Sequence, residues 1–269
     1  MIARLVLTMV IAALLAGCGG QYLAALPDVV TAEGRPARVA ARLRRQEVWR
    51  LAPPVADAAV TVRLADGARR AAFTDDDGYA AVALDAPDQP GRYPLTLDHQ
   101  DPRGVEFTET GRFYVLDSQR LALAVDWRCV AAADTAAGPL RALRTAGMQI
   151  VYVVKGGADS DVVHDALAAG DLPDGPVISW DARRGTLTGA LPAARKSVPS
   201  LVILATDRDD LAVHAAALGM AVVDIAPDWI AVAARVSKAA ATLRDVDFAD
   251  LAAADVRAAL AHPSPLKAR

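Results

Sequence analysis

The 269 residues carry a formal net charge of −3, and 54% are hydrophobic although only 5% are aromatic. That apolar content excludes wholesale disorder, and the length accommodates one large domain or two ordinary ones with cores of small aliphatics. No basic stripe stands out, so nucleic acid is not an expected partner.

The chain opens on a short segment with Arg4, then a run dominated by apolar residues from Leu5 to Ala16, closing on Leu15–Ala16–Gly17–Cys18. Such a run is short for a membrane span and reads as a secretory leader over residues 1–17. The "LAGC" tetrad resembles the lipobox of bacterial lipoproteins. That resemblance implies cleavage before Cys18 and its acylation; at about 0.8 kcal/mol per buried CH2, two or three chains hold a protein on a membrane. An ordinary signal peptide with a chance cysteine is the alternative. Gly19 in place of an Asp leans towards the outer membrane, so the expected location is the bacterial envelope, facing the periplasm. With Cys18 acylated, Cys129 has no disulfide partner and reads as a buried, inert thiol. No His or Cys pair has zinc-ligand spacing.

Residues 18–27 read as a lipidated tether, and 28–117 as an all-β sandwich. "AAVTVRLADG" (58–67) alternates before an Asp-Gly turn; "RRAAFTDDDGYAAVAL" (69–84), "GRYPLTLDH" and "VEFTETGRFYVLD" follow at similar spacing. The "FTDDDGYA" segment resembles a hairpin common in bacterial Ig-like modules. Asp75, Asp76 and Asp77 read as a solvated turn rather than a calcium loop, which needs alternate spacing and a distal Glu. A spacer or docking platform is the expected role.

From 119 to 262 the texture changes to α/β. "LALAVD" (121–126), "QIVYVV" (149–154), "GPVISW" (175–180), "LVILATD" (201–207) and "AVVDI" (221–225) are apolar runs without alternation, as buried parallel strands require. Helical patterns over 136–147, 160–170 and 209–220 close on Gly147, Gly170 and Gly219, each a candidate C-cap. The spacing predicts a doubly wound parallel sheet. Residues 235–262 read as Ala-rich helix and 263–269 as a disordered tail.

In such sheets ligands sit beyond the carboxyl ends of the strands. The strand ending in Asp126, "GPLRALRTAGMQIVYVV" and "ILATDRDDLAVHAAALGM" together resemble the haloacid dehalogenase-like superfamily. "LPDGPVISW" (172–180) is similar to a Leu-Pro-x-Gly-Pro strand approach in capless lipin/Nir-type phosphatidate-recognising domains. The resemblance covers about residues 119–230. It implies that Asp126 occupies the nucleophile position of an Asp-x-Asp-x-Thr motif, while Arg128 replaces the second acid and Val130 the Thr. Where the next strand should end in Ser or Thr, Val154 and Lys155 stand. Lys196 is nearest in type to the third-motif cation, and Arg184 is better spaced. Asp126, Asp207 and Asp210 would hold Mg2+.

What the motif lacks is the general acid, typically worth about 10²–10⁴-fold, and Arg128 has no proton to give. An acidic N-cap opening a helix is the structural alternative for "TDRDDLAVH", and a PIN-type nuclease is set aside for want of further well-placed acids. The leading expectation is a lipid-anchored pseudoenzyme that binds a phosphorylated ligand or anionic lipid headgroup through Arg128, Lys155, Arg184 and Lys196. A Mg2+-dependent phosphohydrolase is the alternative, and a structural envelope module the second.

Overall fold

The computed structural model describes residues 21–46, 52–65, 67–155, 160–180, 190–225, 228–243, 246–248, 251 and 253–261. The leader, Cys18, Arg184 and the expected tail lie outside the described residues.

Among the described residues eight strands come first: β1 (Gln21–Ala25), β2 (Val29–Ala32), β3 (Ala37–Gln46), β4 (Ala59–Leu64), β5 (Arg69–Phe73), β6 (Tyr79–Leu84), β7 (Gly91–Gln100) and β8 (Glu106–Leu116). They form two sheets, β1-β3-β6 and β2-β8-β7-β4-β5, around one core. Alternation does what the pattern predicts: Val60, Val62 and Leu64 of β4 are buried beside Leu95 and Leu97 of β7 and Leu43 of β3. Two expectations change. Gln21–Ala25, placed in the tether, pairs antiparallel with β3, Gln21 opposite Gln46. The acidic turn is no hairpin, because β5 lies in one sheet and β6 in the other. Asp75 Oδ1 accepts the N–H groups of Asp77 and Tyr79 at 3.0 and 2.8 Å, closing the turn locally. Gly78 sits at φ 79°, and a Cβ there would meet Leu43 O at 2.5 Å, so the turn backs directly onto β3.

The second half alternates strand and helix: β9 (Ala122–Asp126), α1 (Trp127–Ala131), α2 (Ala137–Thr145), β10 (Gln149–Val154), α3 (Ser160–Ala169), β11 (Val177–Ser179), α4 (Leu191–Ser197), β12 (Leu201–Thr206), α5 (Asp209–Ala217), β13 (Ala221–Asp224), α6 (Trp229–Thr242) and α7 (Ala253–Ala261). The sheet order is β11-β10-β9-β12-β13, parallel at each pairing. The chain winds outward one way from β9 and returns on its other side, so the order reverses between β9 and β12. In parallel sheets that point opens a crevice at the strands' carboxyl ends. Gly147 and Gly219 take the left-handed caps expected of them; after α3 that conformation falls on Asp171 instead, at φ 51°, where Arg141 pairs with its carboxylate. The C-terminal helical region is two helices, and the first begins earlier than expected, capped by Asp228, which accepts the Ile230 N–H at 2.9 Å.

One face of the sheet, including Leu123, Val125 and Tyr152, is covered by α2, α3, α6 and α7. On the other, Ala122, Ala124, Val151 and Val153 meet Leu191 and Ala194 of α4, Leu211 of α5, and Val30, Tyr114 and Leu116 of the sandwich. The β-sandwich thus completes a layer that helices supply elsewhere. Polar contacts lock the junction: Asp28, 1% exposed, accepts the Val177 N–H at 2.8 Å and lies 2.7 Å from His164 Nε2 through the same oxygen.

Candidate functional site

Asp126 is the last residue of β9 and the N-cap of α1, both consequences of an apolar run that meets a short polar side chain at a helix start. It is 2% exposed. Its Oδ1 accepts the Arg128 N–H at 3.1 Å, and its Oδ2 accepts the Thr206 hydroxyl at 2.9 Å. Thr206 ends β12 and in turn accepts the Arg208 N–H at 3.1 Å. The carboxylate therefore ties the two strands together across the switch point.

One residue beyond Thr206, a single oxygen of Asp207 takes two donors: Arg128 Nη2 at 2.6 Å and Cys129 Sγ at 3.1 Å. The Cys129 hydrogen bond and then the Arg128 guanidinium hold the Asp207 carboxyl below its ordinary range. Burial first, and the adjoining Asp207 second, push the Cys129 thiol up to about 12, so it is a donor and not a thiolate at neutral pH. Asp210 is gripped by both arms of Arg208, at 3.0 and 2.6 Å, and that pair lowers its carboxyl, with a smaller pull from Lys155. The Arg208 guanidinium also lies 5.4 Å from the Trp180 ring centroid.

Of the expected residues, Asp126, Arg128 and Asp207 meet, and Lys155 stands exposed at the end of β10 close enough to act on Asp210. Asp210 does not join the expected metal set, because Arg208 has taken its carboxylate. Cys129 replaces it: Asp126, Cys129 and Asp207 offer donor atoms all within 4.8 Å of one another, a group able to hold a metal ion. As arranged, this group does not fit Mg2+. One or two carboxylates and several waters would satisfy that cation, but both oxygens of Asp126 already accept hydrogen bonds and one Asp207 oxygen already takes a guanidinium and a thiol. Lys196 is also misplaced. It lies in the last turn of α4, which runs back towards the start of β12, so it sits at the opposite edge of the sheet. Thr206 and Arg208 were missed as site residues; both lie inside "LATDRDD", where only the acids drew attention.

Chemically, none of the described residues of the crevice is a carboxylic acid free to protonate a leaving group: both oxygens of the candidate nucleophile accept hydrogen bonds, the Cys129 thiol donates to Asp207, and Asp210 is paired with Arg208. It does offer exposed cationic donors at its rim.

No family model and no curated protein matches the chain. Among solved structures, it is similar to a CARDB domain from Pyrococcus furiosus in complex with di-metal ions (14% identity over 36% of this chain and 89% of that one, TM-score 0.24). It is also similar to a carbohydrate acetylesterase from Xanthomonas citri (16% identity over 82% of this chain and 75% of that one, TM-score 0.36). Neither likeness carries an argument about activity.

Proposed function

We propose that this chain is a lipid-anchored envelope protein whose parallel-sheet half is a haloacid dehalogenase-like domain that has given up phosphoryl transfer and binds a phosphorylated ligand without turning it over. The strand order, with a central strand ending in Asp126 at the switch point, supports the superfamily reading. The observation that carries the loss of catalysis is the contact of Arg128 with Asp207 at 2.6 Å. At the position where the superfamily keeps its general acid, this chain keeps a permanent cation. That cation neutralises the neighbouring carboxylate that would otherwise recruit a metal.

The same residue supports binding. A guanidinium has five N–H donors in a fork suited to phosphate oxygens, and the Arg128 side chain is 62% exposed with one arm on Asp207. Lys155 adds a second exposed cation at the same edge of the sheet. Calorimetric titration of the full chain with inorganic phosphate, glycerol phosphate and vesicles containing phosphatidate tests this reading. Phosphate-bearing probes should bind, and the Arg128→Ala, Lys155→Ala pair should weaken them about tenfold or more, as expected for lost charge-assisted hydrogen bonds. Indifference to the pair would remove the binding role and leave a structural module. Mg2+-dependent hydrolysis of p-nitrophenyl phosphate, lost in Asp126→Asn, would overturn the non-catalytic reading.

A further inference from the structure

Lys196, remote from Asp126, belongs to a different site. A cleft of about 580 Å³ opens between the sandwich and α4. Its apolar lining is a floor of Val30 of β2 and Ala37 of β3, 3% and 5% exposed, beside the more open Pro36 and, on α4, Ala193, and its charged lining is Arg35, Arg38 and Lys196. Ser197 Oγ donates to Val30 O at 3.1 Å, fixing α4 against β2, so the two walls are held together.

No acid among the described residues lines the cleft. Among the described residues, none of the three cations has an ion pair, although the chain as a whole is acidic at −3. Elsewhere its arginines are commonly matched: Arg63 with Asp98, Arg112 with Asp161, Arg208 with Asp210. Three like charges converging on one concavity repel each other, and an anion relieves that repulsion. A free inorganic anion would satisfy the rim alone. The apolar wall asks for hydrocarbon as well, and a concave site of this size holds a small ligand rather than lying flat on a bilayer.

We propose that this cleft binds a single-tailed anionic amphiphile, its head on Arg35, Arg38 and Lys196 and its alkyl chain against Pro36 and Ala193, above the closed floor of Val30 and Ala37. The site is independent of the phosphate reading at Arg128, because it draws on other residues at the other edge of the sheet.

The test is calorimetric titration of the full chain with octyl phosphate below its micellar range, beside inorganic phosphate, octyl glucoside and octyltrimethylammonium. Octyl phosphate should bind about tenfold or more tightly than each of the others, since head and tail both contribute. Replacing Arg35, Arg38 and Lys196 with Ala, all exposed positions, should abolish that preference. Ala193→Glu, which sets an acid into the wall, should do so by a separate route. The Arg128→Ala, Lys155→Ala pair should leave octyl phosphate binding unchanged, so either reading can fail alone. Equal binding of octyl phosphate and inorganic phosphate overturns the proposal. So does full retention in the triple variant, or binding confined to anionic vesicles.

Discussion

Among the described residues three carboxylates are almost fully buried, Asp28, Asp101 and Asp126, and the first and last of these are held in the same way. Asp28 at the junction of the two halves is 1% exposed, and Asp126 at the switch point is 2% exposed. Each accepts one backbone N–H and contacts one side chain from a distant element: Val177 and His164 for Asp28, Arg128 and Thr206 for Asp126. The first is plainly architectural, since it bolts the sandwich to α3 and β11. The second shares its pattern, and so acts as a tie between β9 and β12. The difference lies in the spare oxygen. Among the described residues, Asp28 Oδ1 has no hydrogen-bond partner and only Arg112 at 3.8 Å, whereas both oxygens of Asp126 are engaged.

The strongest way to break the comparison is Asp28→Ala. It strands the Val177 N–H and the His164 ring at the junction, and leaves Arg112 with Asp161 alone. Removing one partner of a buried charged cluster costs about 3–5 kcal/mol, so the urea midpoint should fall steeply and the sandwich should unfold separately from the α/β half. A single transition at the wild-type midpoint would show that the apolar contacts of Val30, Tyr114 and Leu116 hold the halves together unaided.

Next in size is Asp126→Asn. A tie should lose stability when its charge-assisted hydrogen bonds become neutral ones, by about 1–2 kcal/mol. A carboxylate kept for chemistry behaves in the opposite sense, because active sites hold groups in places that do not favour the fold. A rise in melting temperature for Asp126→Asn would therefore separate the two carboxylates and argue for a role in chemistry for Asp126.

The parallel strands were legible because burial on both faces writes itself as unbroken apolar runs, and "QIVYVV" has no other use for five apolar residues in a row after Gln149. Partner sheets were not: alternation in β6 reports a buried side but not which sheet supplies it, and β5 buries no residue, so a crossing turn looked like a hairpin. Gln21–Ala25 was lost for a related reason, since five residues with one fully buried side chain resemble a tether until β3 is beside them. At the crevice, Asp126 and Asp207 were legible from their strand ends. Their partners were not, because Arg128 meets Asp207 across 79 residues and no local pattern encodes that. Lys196 failed on direction: its type was right, but a residue late in a helix preceding a strand returns to the strand's start.

The smallest effect concerns the outer pair, and it sharpens the contrast between a buried tie and an exposed one. Hydrogen bonds from Cys129 first and Arg128 second lower the Asp207 carboxyl in the folded chain. A carboxyl lowered on folding adds stability above its unfolded value of about 3.9, and that stability disappears as pH falls through the folded value. The side chains of Arg128 and Asp207 are 62% and 42% exposed, so solvent screens the pair and its share is small. Cys129→Ala should flatten the acid limb of the stability profile more than Arg128→Ala, in the order of the two causes. Both variants should converge on wild type once Asp207 is protonated. The measurement is the urea midpoint between pH 7 and pH 2. A variant offset that persists at the acid end would mean that packing around Cys129, and not the charge on Asp207, is what the thiol contributes.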